Sequence, residues 1–249
     1  MPRRRYLIFS DIHANLEALE AVLRAVVRRR YDAVFCLGDL VGYGANPDAV
    51  VSRMRRIPGL ITVRGNHDKV VAGHASADNF NSSARKAAEW TAARLSRENM
   101  AFLRAMPRGP VHPADGLLVC HGSVGDEDAY LFSDYDAGEA FGAAEFKVGF
   151  FGHTHFPCAF RLGEDGTDFT PLKGEEVEVR LDPASRYLIN PGSVGQPRDR
   201  NPMASFAEYY ADTRRIVLHR VAYDVTRARE KILKAGLPEN LGNRLLVGT

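Results

Sequence analysis

The chain has 249 residues, 45% of them hydrophobic, and its 33 basic residues nearly balance its 31 acidic ones, for a formal net charge of +2. This charge excludes a strong general attraction to nucleic acid or to an anionic membrane. No apolar run reaches the roughly 18 residues of a membrane span, and the apolar segment after the basic start meets Asp11 too early for a signal peptide. We therefore expect a soluble, cytoplasmic protein with one domain over residues 1–249 and no membrane partner.

In the first part of the chain, short apolar runs alternate with helical patterns. The runs "YLIF", "AVFC" and "LITV" are separated by "NLEALEAVLRAVVRRR" and by "PDAVVSRMRRI". This order predicts β-α-β units and a largely parallel sheet that is buried on both faces. Asn15 precedes the first helical pattern and is its predicted N-cap.

A helical insertion is predicted at about 69–110. It begins with a polar loop and continues as one long helical pattern from about Ser83 to Ala105, with Pro107 and Pro110 as stop signals. Such an insertion can form a wall or lid of a site. After Cys158 the pattern changes to alternating strands such as "EEVEVRL" and "RRIVLHRVAY", which favours a more antiparallel sheet.

The apolar runs of the predicted parallel sheet end in side chains that can bind metal or carry protons. These side chains are Asp11 and His13, Asp39, Asn66 and His67, His121, and finally His153 and His155. Any one of them alone would more often begin a turn or make a structural hydrogen bond. Because the carboxyl ends of parallel strands meet at one edge of a sheet, together they predict a single site.

Two pairs of these residues have the spacing i and i+2. In extended backbone, Asp11 and His13 would point to the same side, and so would His153 and His155. Each pair is therefore predicted to face a common metal centre.

The donor types limit the choice of metal. Imidazole, carboxylate and amide groups with no thiolate nearby favour Mn, Fe, Zn, Ni or Co over Cu(I), and the imidazoles disfavour a pure Mg or Ca site. The cysteines Cys36, Cys120 and Cys158 are too far apart for a CxxC zinc motif and are predicted to be reduced and buried. Seven candidate ligands are too many for one ion, whereas two ions could share a bridging carboxylate, for which Asp39 is the best candidate.

The motifs "DIH", "GDLVGYG", "GNHD", "CHG" and "GHTH" resemble, complete and in order, the signature of the calcineurin-like metallophosphoesterases. The stretch "NPGSVGQPR", Asn190 to Arg198, is similar to their smaller bacterial phosphodiesterase branch. The resemblance implies a four-layer α/β/β/α sandwich of two mixed sheets flanked by helices. It also implies two divalent transition-metal ions, for which we expect manganese first and Fe, Ni, Zn or Co as alternatives.

The resemblance further implies a role for each motif residue. The expected ligands are Asp11, His13 and His155 for the first metal, Asn66, His121 and His153 for the second, and Asp39 bridging both. His67 would lie beside the scissile ester as proton donor or transition-state stabiliser, with Asp68 orienting it. Asn15 would contact substrate or groups around the metals.

Departures from the family patterns narrow the expected substrate. Protein phosphatases and symmetrical dinucleoside tetraphosphatases of this superfamily carry G-D-x-x-D-R-G, whose arginine clamps phosphate, whereas Gly42 and Tyr43 replace that Asp-Arg pair here. Their G-N-H-E is also "GNHD" here. Both differences favour small phosphodiester or nucleotide substrates. Arg64 and Arg198 are candidate phosphate contacts or else ion-pair residues, and Tyr43 would stack on a base or pack internally.

We therefore expect a phosphodiesterase that acts through hydroxide bridging two metals, with His67 assisting the leaving group. A phosphomonoesterase is one alternative. A nuclease is another, although the near-neutral charge does not favour a nucleic-acid partner. A non-catalytic metal-binding interaction scaffold and a closed structural metal site complete the alternatives. The sequence carries no signal for an oligomeric state.

Overall fold

The computed structural model describes residues 4–249, and residues 1–3, part of the basic start of the chain, lie outside the described residues. The strands are β1 (Arg5–Phe9), β2 (Ala33–Cys36), β3 (Leu60–Thr62), β4 (Leu117–Val119), β5 (Val148–Phe150), β6 (Cys158–Gly163), β7 (Gly166–Pro171), β8 (Glu176–Arg180), β9 (Arg186–Asn190), β10 (Ala204–Tyr210) and β11 (Arg215–Val221). The α-helices are α1 (Leu16–Val26), α2 (Pro47–Met54), α3 (Asn66–Val71), α4 (Ser82–Ala92), α5 (Arg97–Ala105), α6 (Asp134–Ala143), α7 (Val225–Lys234) and α8 (Glu239–Asn243). A 3₁₀ turn, Arg244–Leu246, follows α8.

The strands form two mixed sheets. The first has the order β3-β2-β1-β10-β11-β8, in which β1, β2 and β3 run parallel and the remaining pairs are antiparallel. The second has the order β4-β5-β9-β6-β7, in which β4, β5 and β9 run parallel. The predicted change from parallel to antiparallel pairing after Cys158 is thus confirmed for most strands, and β9 is the exception because it pairs with β5 in parallel.

Alternation along the strands explains the layers. On β1, Leu7 and Phe9 face one core with α1 and α2, while Ile8 faces a second core between the sheets. That second core also contains Phe150 of the second sheet. The outer face of the second sheet packs on α6, where Phe141 belongs to a third core. The predicted four-layer α/β/β/α sandwich is confirmed.

The predicted long helix from Ser83 to Ala105 is wrong, since the chain forms α4 and α5 with a turn between them. The helical pattern is interrupted at Ser96. The side chain of Ser96 caps α5 by accepting a hydrogen bond from Asn99 N at 3.3 Å, and the backbone N–H of Ser96 donates to Asp48 Oδ1 at 2.7 Å. A serine at this point competes for backbone hydrogen bonds and favours a new helix start.

The helices of the C-terminal segment pack against α1 and against the loop that follows β2. Leu241 and Leu245 share a buried cluster with Tyr43, whose ring belongs to the loop after β2. The segment therefore brings the end of the described chain close to the candidate site. Within residues 4–249, none of the helices has the length and apolar character required to traverse a bilayer.

Candidate metal centre

Loops that follow five strands bring the predicted ligands to one edge shared by both sheets. They form two buried clusters, and in each the candidate ligand atoms lie within 4.8 Å of one another. The first cluster comprises Asp11, His13, Asp39 and His155, and the second comprises Asp39, His121 and His153. Asp39 belongs to both, since its Oδ2 lies 3.6 Å from His13 Nε2 and 3.5 Å from His121 Nε2. This is the division into two sets that the family resemblance implies.

The seventh predicted ligand, Asn66, lies at the edge of the second cluster. It is the first residue of α3, and its side-chain Oδ1 is 3.2 Å from His121 Nε2. The amide thus stands where the second cluster meets the surface, while the first cluster is enclosed.

The backbone at the two i, i+2 pairs is not extended. β1 and β5 end before these residues, and φ is 55° at Asp11, 47° at His13, 65° at His153 and 59° at His155. The prediction of extended backbone is therefore wrong for both pairs, although Asp11 and His13 still reach one common cluster as predicted. Left-handed backbone rotates the chain between neighbours, so that His153 and His155 reach different clusters although only one residue separates them.

Left-handed backbone costs a non-glycine residue roughly 1–2 kcal/mol, so something must hold these loops. Asp11 N donates to Gly38 O at 3.0 Å and His13 N donates to Asp39 O at 2.9 Å, which ties the loop after β1 to the loop after β2. The loops also pack with no room for a side chain at Gly65, where a Cβ atom would lie 2.1 Å from Asp39 Oδ1. The glycine of "GNHD" is therefore required by the close approach of Asp39.

The four clustered histidines each use one ring nitrogen to hold a backbone carbonyl. The contacts are His13 Nδ1 to Val41 O (3.1 Å), His121 Nδ1 to Leu37 O (2.7 Å), His155 Nδ1 to Gln196 O (2.6 Å) and His153 Nε2 to Asp128 O (3.1 Å). Since a carbonyl only accepts, each of these nitrogens carries a proton, and in the neutral ring the other nitrogen presents a lone pair. Metal-bound histidines are held in this way.

The inward-facing atoms lack donors. His13 Nε2 and His155 Nε2 are 3.0 Å apart, and with both protons committed to carbonyls this contact joins two lone pairs. The buried Asp11 Oδ1 has no hydrogen-bond partner among the described residues and lies 3.3 Å from His155 Nε2. Unpaired acceptors that converge in a buried space are stabilised by a cation, so the residues present fit a bound metal ion.

The charges of the clusters agree with this fit. Burial opposes ionisation of Asp11 and Asp39, but neighbouring histidines keep the pKa of both carboxyls below its usual range. Burial lowers the pKa of His13 and His155, and lowers that of His153 to about 3. For these groups the favoured states, ionised carboxylate and neutral imidazole, are the ones that bind metal.

His121 shows how strongly the clusters attract positive charge. Burial acts to lower its pKa, yet the Asp39 carboxylate outweighs burial and raises the pKa of His121 to about 10. A metal cation at the second cluster would satisfy the same negative charge without that proton.

His67 lies beside the clusters without joining them. Its backbone N–H donates to Asp39 Oδ1 at 2.9 Å, and its ring contacts the rings of Tyr43 and Phe80 at centroid distances of 4.3 and 4.6 Å. Nδ1 is enclosed next to Gly42 and has no hydrogen-bond partner. Burial lowers the pKa of His67 to about 4.

Asp68 does not orient the His67 ring, so the predicted contact is wrong. Its Oδ1 accepts from Val41 N at 3.2 Å and its Oδ2 accepts from Gly65 N at 3.1 Å, and no hydrogen bond joins it to the His67 imidazole within residues 4–249. Asp68 instead holds the start of α3 against the loop after β2. Burial and the Asp39 charge together raise its pKa to about 7.

Two of the residues predicted to contact substrate, Asn15 and Arg64, have their polar groups bonded to other residues of the protein. The Asn15 side chain accepts from Ala18 N at 3.1 Å, as predicted for an N-cap, and its amide donates to Gly195 O at 2.9 Å. Arg64 forms a two-pronged ion pair with Glu127 at 3.0 and 2.9 Å. The prediction that Asn15 and Arg64 contact substrate is therefore not supported. Gly195 and Glu127, which are distant in sequence, already form hydrogen bonds with their polar groups.

The other two residues predicted to contact substrate, Tyr43 and Arg198, lie close to the site. The Tyr43 ring packs on His13 and His67, at 4.6 and 4.3 Å between centroids, and also lines the surface cleft described below. The backbone N–H of Arg198 donates to His155 O at 3.4 Å, and its Nη2 donates to Gln196 Oε1 at 3.2 Å.

A cleft of about 350 Å³ opens onto Asn66, His67 and His153. One wall is formed by residues of the loop and helix that follow α3, including Phe80, and the opposite wall includes Tyr130. The Tyr130 ring stacks on His153 at 3.9 Å, and Phe132 stacks on Tyr130 at 5.2 Å. Tyr130 and Phe132 were not predicted from the sequence, where their signal is the aromatic run "AYLF" in a polar stretch.

The comparisons with known proteins agree with this geometry. The family model described as the calcineurin-like phosphoesterase superfamily domain matches residues 5–214. The protein MJ0912 of Methanocaldococcus jannaschii, which carries the description "uncharacterized", is 40% identical over 252 residues, and the match covers 100% of both chains.

Solved structures give the same result. A metallophosphoesterase from Sphaerobacter thermophilus is 37% identical, with a TM-score of 0.86 and coverage of 99% of this chain and 100% of that one. The hypothetical protein PH1004 from Pyrococcus horikoshii OT3 shares the fold, with a TM-score of 0.79, 18% identity and coverage of 98% of both chains. The chain therefore belongs to the calcineurin-like phosphoesterase superfamily and is a phosphoester hydrolase.

Proposed function

We propose that this chain is a two-metal phosphodiesterase that acts on small or nucleotide substrates. The observation that carries the proposal is the pair of buried clusters that share Asp39 and open, through the second cluster, onto a cleft. A structural metal site would be closed on every side, whereas this one adjoins space for a substrate.

The geometry of the side chains supports the two ligand sets that the family resemblance implies. The first ion would be held by Asp11, His13, Asp39 and His155, and the second by Asp39, Asn66, His121 and His153. The donors are nitrogen and oxygen only, which suits Mn, Fe, Ni, Zn or Co, and the family resemblance makes manganese our first choice among them. When bound, two such ions neutralise phosphate oxygens and supply a nucleophilic water at neutral pH.

The remaining residues position the substrate and move a proton. His67 is anchored by its backbone hydrogen bond to Asp39 and by the rings of Tyr43 and Phe80, which leaves Nε2 as the atom that serves the leaving oxygen. Asp68 acts on His67 only through the backbone, because it fixes the first turn of α3. An anionic phosphate beside His67 would raise its pKa from the lowered value of about 4 and so increase the protonated fraction of the ring, since a nearby negative charge favours the imidazolium form.

The cleft favours a phosphate with two substituents. Its charged lining residues are Lys69 and Asp128, which form an ion pair, and Lys69 also donates to Glu127 at 3.2 Å. Among residues 4–249, the cleft therefore offers no unpaired Lys or Arg for a terminal phosphate. Its aromatic and amide lining instead suits a neutral organic substituent, such as the nucleoside part of a nucleotide diester.

A metal-depletion experiment tests the proposal. Protein stripped of metal would be resupplied with Mn, Fe, Ni, Zn, Co or Mg, and both bound metal and hydrolysis of a diester, monoester and nucleotide panel would be measured. We expect two ions per chain and faster diester than monoester hydrolysis. One ion per chain would contradict the two-metal assignment, and faster monoester hydrolysis would favour a phosphomonoesterase.

Matched histidine variants separate the site from general effects. His153→Gln should lose one ion per chain together with activity, because it removes a ligand of the second cluster. His74→Gln is the control, since this exposed histidine lies outside both clusters and its ring hydrogen-bonds Arg104 O. Equal loss of metal in the two variants would mean that the clusters do not bind it.

A further inference from the structure

His153 differs from the other clustered histidines in the residue that holds its ring. The other three rings hydrogen-bond carbonyl groups of fully buried residues, namely Leu37, Val41 and Gln196. His153 Nε2 instead donates to Asp128 O at 3.1 Å, and the Asp128 side chain is 49% exposed. The direction in which His153 presents its other ring nitrogen to the second cluster therefore depends on the position of a surface loop.

This loop, residues 120–133, joins β4 to α6 and contains neither helix nor strand. In its outermost part, residues 125–130, Glu127 alone is buried, and the neighbouring residues are exposed or partly exposed. An ionised carboxylate is costly to bury unless charged partners and hydrogen bonds compensate it. Glu127 is therefore the point at which this part of the loop is attached to the protein.

The partners of Glu127 belong to the segment that enters the metal site. Arg64 donates to both oxygens of the carboxylate at 3.0 and 2.9 Å, and Lys69 Nζ donates to Oε1 at 3.2 Å. Arg64 directly precedes the "GNHD" turn, and Lys69 lies on α3, the helix that begins at Asn66. Glu127 thus attaches the loop to the element that carries another candidate ligand of the second cluster.

The residues that follow Glu127 contact the His153 ring at two points. Asp128 supplies the carbonyl that accepts from Nε2, and the Tyr130 ring stacks on the imidazole at 3.9 Å between centroids. Stacking restrains the plane of the ring, but only the hydrogen bond selects the nitrogen that carries the proton. A shift of Glu127 would move the adjacent carbonyl and release that choice.

We propose that Glu127 is a positioning residue for the second metal ion, because it fixes the Asp128 carbonyl that orients His153. The inference rests on the proposed function, since it requires a metal ion at the second cluster. Groups that orient a metal-bound histidine typically change metal affinity by 10–100-fold when they are removed, although they do not touch the metal. The first cluster has no ligand in this loop, so its ion should not depend on Glu127.

Titration of the metal-free protein with Mn²⁺, followed by calorimetry, measures the Kd of each ion without any turnover. His153→Gln identifies the second ion, because it removes a ligand of that cluster alone. We expect Glu127→Gln to raise the Kd of the second ion about 10–100-fold and that of the first ion less than about threefold. Unchanged affinity for the second ion, or an equal loss for both ions, would overturn the proposal.

Asp128→Asn is the matched control for charge. Glu127 and Asp128 are adjacent carboxylates that both pair with Lys69, so each variant removes one negative charge from the same place. Asp128→Asn leaves Glu127 and the backbone carbonyl in position, and the Kd of the second ion should change less than about threefold. A loss as large as that of Glu127→Gln would show that charge alone acts on the ion, which contradicts a positioning role.

Nitrogen NMR of the imidazole rings supplies a second measurement, made without metal. The wild-type His153 ring should carry its proton on Nε2, because this atom donates to Asp128 O. In Glu127→Gln we expect a mixture of both tautomers, and the signal that is absent from His153→Gln assigns the ring. If Glu127→Gln only lowers the thermal stability and keeps the wild-type tautomer, Glu127 supports the fold in general and the proposal fails.

Folding and function can be separated from this result. Thermal unfolding would be compared for all variants, and if Glu127→Gln does not fold, Arg64→Gln carries the same tests, because it removes two of the hydrogen bonds to Glu127. If the wild-type protein binds two ions but hydrolyses no phosphoester, and its second ion still depends on Glu127, the proposed function fails while the positioning role stands. If it hydrolyses diesters and Glu127→Gln leaves both Kd values unchanged, the positioning role fails while the proposed function stands.

Discussion

Glu208 on β10 is as deeply buried as Asp11 and Asp39 at the metal clusters, but its surroundings are different. Hydrogen bonds to Glu208 come from Arg5 (2.6 Å), Arg29 (2.8 Å), Tyr31, Tyr210 (3.1 Å) and His219 (3.1 Å). Both of its oxygens are therefore fully used by groups of the protein itself. At the clusters, by contrast, lone pairs face one another and Asp11 Oδ1 has no partner.

The backbone shows the same contrast. Of the nine described non-glycine residues with positive φ, seven lie in the loops of the site, and β10 has none. The two regions teach that a buried carboxylate with a complete set of donors belongs to the framework. One that is short of donors and held on strained loops is prepared for a ligand. The predictions below test this distinction, from the largest expected effect to the smallest.

Asp39→Asn should cause the largest loss of activity. The change removes the one carboxylate common to both clusters, and metal ions contribute several kcal/mol to such reactions, so kcat/KM should fall on the order of 10³-fold or more. Metal content, measured by elemental analysis, should fall in parallel. Because neighbouring histidines hold the Asp39 pKa below its usual range, the Asp39 charge also stabilises the metal-free protein, and the metal-free variant should be less stable than metal-free wild type. Unchanged metal content would break the comparison.

Glu208→Gln should show the opposite pattern. Breaking a buried ion pair from one side costs about 3–5 kcal/mol of the free energy of unfolding. Metal content and kcat/KM of the folded variant should stay within about twofold of wild type, because Glu208 contacts no residue of the clusters. Denaturant titration together with metal analysis would check both parts.

The same variant gives a pH test. Burial alone would raise the pKa of Glu208, but hydrogen bonds from His219, Tyr31, Arg5 and Arg29 hold it well below the usual range. A lowered native pKa stabilises the fold fully above the unfolded-state pKa of about 4.3, and this stabilisation is lost as the pH falls through the native pKa. Stability of the wild type should therefore decline in acid more steeply than that of Glu208→Gln.

The convergence of the ligands can be predicted from sequence because it depends on topology alone. Apolar runs mark the strands, and parallel strands bring their carboxyl ends to one edge. Asp39 follows β2 of the first sheet and His121 follows β4 of the second, and they meet because the parallel strands of both sheets end at the same side of the sandwich. The direction of each side chain cannot be predicted in this way. The i, i+2 rule assumes extended backbone, and hydrogen bonds between loops hold Asp11 and His153 in left-handed conformations instead.

Contacts between distant segments explain the other differences. Nothing near Arg64 in sequence signals its partner Glu127, and nothing near Asn15 signals Gly195. Asp68 is adjacent to His67 in sequence, but the helix that begins at Asn66 turns its carboxylate toward the backbone of Gly65 and Val41. Adjacency therefore predicts a shared location but not a shared hydrogen bond.

His67→Ala should keep the metals and lose turnover. His67 lies outside the ligand clusters, so bound metal should remain near the wild-type level, while a missing proton donor typically costs about 10²–10⁴-fold. The loss should be large for an alkyl leaving group and small for a nitrophenolate, which leaves without a proton. If the variant instead loses metal, and added metal restores its activity, then His67 is a metal ligand or supports one.

Tyr130→Leu should have the smallest effect and sharpens the assignment of the cleft. Removing one aromatic face should raise KM for nucleotide diesters by about 5–10-fold, given the usual 1–3 kcal/mol for base stacking and the apolar surface that leucine retains. A dimethyl or glycerol diester should be unaffected, because it has no ring to stack. Tyr135→Leu is the matched control, since Tyr135 is 75% exposed and does not line the cleft. If Tyr130→Leu instead lowers metal affinity and slows the hydrolysis of every substrate equally, the ring serves to support His153. In that case only the metal cluster, and not the Tyr130 ring, contacts substrate at the open side of the site.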